Sequence, residues 1–135
     1  MAHADPARDV MGDALFAEAL RAKADAKSDI RNERYISVID YRVPSHVPRY
    51  FLIDTSDISA EAFLVAHGKG SDPDHDGMAD QFSNIEGSKM TSLGAYVTGR
   101  VYYGAHGLSL KLQGLSPQNN LAEKRLIVIH GADYV

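Results

Sequence analysis

The sequence contains no cysteine. That absence excludes disulfides, cysteine zinc sites, iron–sulfur clusters and a thiol nucleophile carried by these 135 residues. No stretch approaches the roughly 20 apolar residues of a membrane span. The N-terminus MAHADPARDV is polar and has no apolar signal-peptide core. Positive charge is not in excess: 14 basic against 18 acidic residues give a net charge of −4, with no general pull toward nucleic acid or an anionic membrane. Other chemistries lack their markers too. The sequence has no H-E-x-x-H pair, no G-x-S-x-G elbow, no G-x-x-x-x-G-K-[ST] phosphate loop, and no G-x-G-x-x-G opening a helix. The composition, 44% hydrophobic and 24% charged, is that of one ordinary folded domain.

The order of elements is legible from periodicity. Residues 6–28 read as one helix, with Asp5 as N-cap and Pro6 at the first helical position. Met11, Leu15, Ala19 and Ala22 form its apolar stripe, flanked by Phe16 and Leu20. From residue 35 the period becomes that of strands. Tyr35–Tyr41, with Ile36 and Val38 on one face, and Tyr50–Ile53 make a hairpin around a Pro-containing turn; Phe63–Ala66 is a third apolar run. Residues 67–94 are rich in Gly, Ser, Asp and Asn and read as a long loop with little periodicity, of the kind that is usually functional or disordered. Strand signals return at Ala95–Val97, Arg100–Tyr103 and Leu108–Leu112, and Arg125–His130 reads as a buried strand. The expected fold is mainly β with an N-terminal α-helix, divided into a helix and linker over 1–33 and a β domain over 34–135.

Two features bear on chemistry. His67 and His130 each end an apolar run and are followed by Gly, a placement that sets an imidazole at a sheet rim where a ligand can approach closely. Histidine titrates near neutrality and is the usual general base. The segment Asp72-Pro-Asp74-His-Asp76-Gly77-Met-Ala-Asp80 has the spacing of a calcium loop. Its twelfth position is Ser83 in place of a bidentate Glu, so a solvated acidic turn is the competing reading.

Several motifs occur together in one order. They are His67-Gly-Lys-Gly-Ser-Asp-Pro73, Phe82-Ser-Asn84, Gly87-Ser88, Thr91-Ser-Leu-Gly-Ala-Tyr96, Tyr103-Gly-Ala-His-Gly107, Leu110-Lys-Leu-Gln-Gly-Leu115, Asn119-Asn120 and Arg125-Leu-Ile-Val-Ile-His-Gly-Ala-Asp-Tyr134. Over residues 35–135 the chain thereby resembles the murein L,D-transpeptidase catalytic-domain family, in its subgroup with the His-Gly and Phe-Ser-Asn loop. The resemblance implies a barrel- or sandwich-like β domain acting on peptidoglycan stem peptides without a cofactor. A Cys thiolate attacks the amide before a terminal D-residue, commonly diaminopimelate–D-alanine. D-Alanine leaves, and the thioester passes to an amine or to water.

By the same resemblance, His130, followed by Gly131, is the general base. His67, Gly68, Ser71, Ser83, Asn84, Ser92, Gly94 and His106 line or brace the substrate groove. Ser92 stands where the family commonly has Pro. The family also carries a Ser-x-Gly-Cys motif one loop after the His-Gly strand, and residues 1–135 contain none. The expectation is therefore an N-terminal portion of a transpeptidase domain, inactive as given because its nucleophile is absent. A non-catalytic peptidoglycan-binding or regulatory relic is the alternative. A calcium-binding β domain using Asp72, Asp74, Asp76 and Asp80 is a further one. The implied location is the periplasm or cell wall.

Overall fold

The computed structural model describes residues 5–135, so the first four positions of the expected 1–33 segment lie outside the described residues. The chain forms two compact units, Met1–Val65 and Ala66–Val135. The first contains β1 (Asp5–Pro6), α1 (Ala7–Met11), α2 (Asp13–Asp25), β2 (Tyr35–Ile39), β3 (Tyr50–Asp54) and β4 (Ser59–Phe63). The second contains β5 (Tyr96–Gly104), β6 (Gly107–Gly114) and β7 (Val128–His130). The expectation of a mostly β chain with helix near its N-terminus holds, with two antiparallel sheets.

In the first unit the sheet order is β1-β4-β3-β2. The alternation expected from sequence sets the inward face. Phe51 and Ile53 are buried on β3, and Ile36 and Val38 pack against a core of Ala7, Phe16, Ala19, Ile53 and Ala60. Three expectations are corrected. The single helix over 6–28 is two helices, because Gly12 takes φ 84°, ψ 155° and breaks the α-helical path between Met11 and Asp13. Pro6 is not the first helical residue: with φ −52°, ψ 133° it is extended and pairs with Ser59, while Ala7 donates its N–H to the Ile58 carbonyl at 2.9 Å. The third strand is not the apolar run Phe63–Ala66 but Ser59–Phe63. Small residues Ser59 and Ala60 are the buried ones there, and Phe63 and Leu64 are exposed.

Arg49 is fully buried. Its Nε and Nη2 donate to the Val65 carbonyl at 3.0 and 2.8 Å, its Nη1 donates to the Val43 carbonyl at 3.0 Å, and the guanidinium lies 5.0 Å over the Tyr41 ring. Burial pulls its pKa below the usual guanidinium value. Asp40 lies just past the end of β2. It accepts hydrogen bonds from the Arg42 guanidinium at 2.9 and 3.0 Å, which hold its carboxyl below the usual range.

In the second unit the sheet order is β5-β6-β7, all antiparallel. The two expected strand signals at Ala95–Val97 and Arg100–Tyr103 are one strand, irregular between Thr98 and Val101, where extra residues face Lys111. The expected strand Arg125–His130 shrinks to Val128–His130 and is half-buried. Leu126 is 79% exposed and has φ 60°, a left-handed conformation that an extended strand cannot include. Much of the buried material here is polar: Ser71, Asp72, Ser92, Ser109 and Asn119, beside Ala79 and Ala122. Hydrogen bonds therefore carry much of the order in this unit.

Candidate functional site

Residues 66–95 contain little regular structure beyond one 3-10 turn, Lys69–Ser71, yet they are tightly tied. Gly68 donates its N–H to Thr91 Oγ1 at 2.7 Å, and Gly70 donates to the Lys89 carbonyl at 2.8 Å. Buried Ser71 accepts the Thr91 N–H on Oγ at 2.8 Å, while its carbonyl takes the Asp80 N–H at 2.8 Å. A side chain at Gly68 would put Cβ 2.4 Å from the Lys89 carbonyl oxygen, so the approach of the two segments requires glycine there.

His67 sits behind this layer. Its side chain is 7% exposed, and Nε2 lies 3.3 Å from Asp72 Oδ2. Asp72 also accepts the backbone N–H groups of Asp76 at 3.1 Å and Gly77 at 2.9 Å. Burial alone would raise the pKa of Asp72. The backbone donors and His67 outweigh it and hold the carboxyl below its ordinary value. An ionised carboxylate only accepts, so the assigned proton on His67 is at Nε2.

His130 is held differently. Its Nδ1 lies 2.8 Å from the Gly131 carbonyl oxygen, an acceptor only, so Nδ1 carries the proton and Nε2 keeps its lone pair in the neutral ring. The His106 ring stacks on it with centroids 4.3 Å apart and planes 14° apart. Pairing of Ser109 with both Tyr102 and His130 puts those three side chains on one sheet face, and Lys111, two positions along β6, shares it. The Lys111 ammonium lies 5.6 Å over the Tyr102 ring. At the irregular part of β5 a cleft of about 290 Å³ is lined by Gly99, Arg100, Lys111, Leu112, Gln113 and Glu123.

A family model described as L,D-transpeptidase catalytic domain matches residues 8–135. The chain belongs to this family. Comparison with curated proteins and with solved structures found no match. The family acts on peptidoglycan and is associated with the cell wall. Among the described residues no helix is long and apolar enough to cross a membrane.

Within this L,D-transpeptidase domain, the residues expected to form the site fall into two settings. His130 and His106 are brought into contact. His67, Gly68, Ser71 and Ser83 belong to the knitted loop layer, where Ser83 donates its N–H to the Thr91 carbonyl at 3.1 Å. Asn84 fastens that layer to the loop after β6: Nδ2 donates to Asn120 Oδ1 at 2.8 Å and to the Pro117 carbonyl at 3.1 Å, and Oδ1 accepts the Leu121 N–H. Ser92 is 3% exposed and its Oγ lies 2.6 Å from the Tyr96 hydroxyl, which itself donates to the Ser92 carbonyl. Gly94 takes φ 121°, and a Cβ there would meet Ser116 and Asn119 side chains within 2.8 Å.

Asp72, Asp76 and Asp80 each offer an oxygen within 4.8 Å of the others, and Asp74 is not part of the group. The Asp72 oxygens already serve Asp76, Gly77 and His67, while Asp76 Oδ1 accepts the Met78 N–H at 2.9 Å.

Two organising residues, Arg125 and Asn119, lie within the motifs that carry the resemblance, but the sequence assigns them no role. Arg125 donates from Nη1 to the Ser83 carbonyl at 2.9 Å, and from Nη2 to Ser88 Oγ at 3.1 Å and the Met90 carbonyl at 2.6 Å. Fully buried Asn119 donates to the Ala95 carbonyl at 2.8 Å and accepts from the Ser116 N–H and hydroxyl. Their partners lie far along the sequence or across a turn, so the motifs mark the positions but not the contacts.

Proposed function

We propose that this chain supplies the stem-peptide groove and the general base of a peptidoglycan L,D-transpeptidase. His130 is the base. The observation that carries this is the difference between the two His-Gly sites. His67 spends Nε2 on a carboxylate, whereas His130 commits Nδ1 to a carbonyl and keeps Nε2 able to take a proton from a thiol. Gly131, whose carbonyl accepts the hydrogen bond from His130 Nδ1–H, belongs to the base. His67, Gly68, Ser71, Ser83, Asn84, Ser92 and Gly94 brace the groove through the hydrogen bonds and close approaches described above.

The reaction is acyl transfer. A thiolate adds to the amide carbonyl before a terminal D-alanine, the C–N bond breaks, and the departing amine takes the proton held on the base. The resulting thioester acylates an amine of a second stem, or water. The 135 residues hold no cysteine, so the thiol must come from outside them. The Arg100 and Lys111 cations beside the cleft on β5 and β6 suit the carboxylates of the stem. The site of action is the periplasm or cell wall.

The test is to incubate the chain with tetrapeptide-stem muropeptides and follow both binding and D-alanine release. Binding without release is expected, with Lys111→Ala weakening it. Release by the chain alone would overturn the thiol reading and point to a serine. Absence of binding would overturn the groove. A second reading, a non-catalytic peptidoglycan-binding module, is favoured by the dense hydrogen bonding of residues 67–92, which needs no thiol. Supplying the chain with a Ser-x-Gly-Cys-bearing C-terminal segment separates the two, because D-alanine release then appears only if the groove is catalytic.

A further inference from the structure

The turn between β5 and β6 contains only Ala105 and His106 between the paired glycines Gly104 and Gly107. Gly107 takes φ 82°, the left-handed conformation that lets a tight turn rejoin the antiparallel ladder. Two positions further on, Ser109 pairs with His130. The tip of the hairpin therefore hangs over the end of β7, and the His106 ring comes to lie flat on the His130 ring, 4.3 Å between centroids and 14° from parallel.

The bond that fixes the His130 tautomer is weak by itself. It runs from a side chain to the carbonyl of the next residue, in an exposed position where water competes for both groups. The second torsion of a histidine side chain has broad wells, and rotation about it replaces Nδ1 with a carbon at the carbonyl. β7 is only three residues long and offers little other restraint. A ring stacked face to face is held in one plane, and of the two orientations in that plane only the one with Nδ1 at the Gly131 carbonyl makes the hydrogen bond.

We propose that His106 is a positioning residue for His130: its stacked ring fixes the plane of the base, keeping Nδ1–H on the Gly131 carbonyl and Nε2 free. The inference rests on reading His130 as the base. It gives His106 a task other than lining the groove, since one face of its ring is covered by His130.

The test uses the full chain labelled with nitrogen-15, at a mildly alkaline pH where free imidazole is neutral. Long-range proton–nitrogen spectra report which ring nitrogen carries the proton. The wild type is expected to show a single Nδ1–H form of His130 and a nuclear Overhauser contact between the two rings. His106→Ala is expected to average the two tautomers of His130, and His106→Phe, which keeps a stacking face, to restore the single form. A single Nδ1–H form in His106→Ala at an unchanged melting temperature would overturn the proposal. So would the absence of a ring–ring contact in the wild type. Should His106→Ala fail to fold, the wild-type contact and the His106→Phe spectrum decide. None of these readouts depends on D-alanine release, so failure here is distinct from failure of the transpeptidase reading.

Discussion

The guanidinium of Arg125 donates to the carbonyl of Met90 across 2.6 Å, joining positions 35 residues apart. The same group holds the Ser83 carbonyl and the Ser88 hydroxyl, so one side chain closes the segment 83–90 into a fixed loop. Arg125→Ala removes all of these bonds and leaves half-buried acceptors to find water. A loss of about 1–3 kcal/mol is expected. Hydrogen exchange should quicken at Ser83 and Thr91 before it does at the β5–β6 ladder, and equal acceleration everywhere would refute a local staple. Arg125→Lys keeps the charge but not the fork and should recover only part of the loss.

Glycine matters unequally at the two His-Gly sites. Gly68→Ala would press a methyl group to within 2.4 Å of the Lys89 carbonyl oxygen and 2.8 Å of the Thr91 nitrogen. The expected cost is about 1–3 kcal/mol, the usual range for overpacking. Gly131→Ala meets nothing within 4 Å and should leave the melting temperature nearly unchanged. Thermal melts of the two variants give the comparison, and equal melting temperatures would contradict the close approach at Gly68.

Asp72 links the acidic loop to pH. Its folded pKa lies below the ordinary carboxylate value because Gly77, Asp76 and His67 donate to it against the opposing effect of burial. A depressed carboxyl stabilises the fold above its unfolded pKa of about 4, and that stabilisation is lost as pH falls through the folded value. The melting temperature should therefore decline below about pH 4, and Asp72→Asn should decline less over that range while starting lower at neutral pH. With the Asp72 oxygens already engaged, millimolar calcium should leave the melting temperature unchanged; a rise would revive the calcium-loop reading.

Arg49 is a buried cation whose hydrogen bonds go to carbonyls of Val43 and Val65. Arg49→Met fills similar space and strands those acceptors. Denaturant titration should show the first unit weakened by about 1–3 kcal/mol. No change in midpoint would mean that water replaces the guanidinium without penalty.

The strands with alternating apolar residues were readable from sequence, because Ile36 and Val38, or Phe51 and Ile53, announce a buried face directly. β4 was not, because its buried positions are Ser59 and Ala60, which carry little hydrophobic signal, while the visible run at Phe63 and Leu64 is exposed. The helix break was hidden in a single Gly12 within an otherwise helical pattern, a residue that helices tolerate at about 1 kcal/mol. His130 was legible from its place after an apolar run. The contact with His106 was not, since it depends on a hairpin turn and on the Ser109–His130 register together.

The two-residue strand Asp5–Pro6 has a practical meaning for anyone shortening this protein. It covers the outer side of β4, and Ala7 beside it is completely buried. The family match begins one residue later, at position 8. A chain trimmed to that boundary would uncover the peptide groups of Ser59 and Ala60 along the rim of what is then a three-stranded sheet, an open invitation to pair with another molecule. Such a preparation should be judged by light scattering before any failure to bind stem peptides is blamed on the groove.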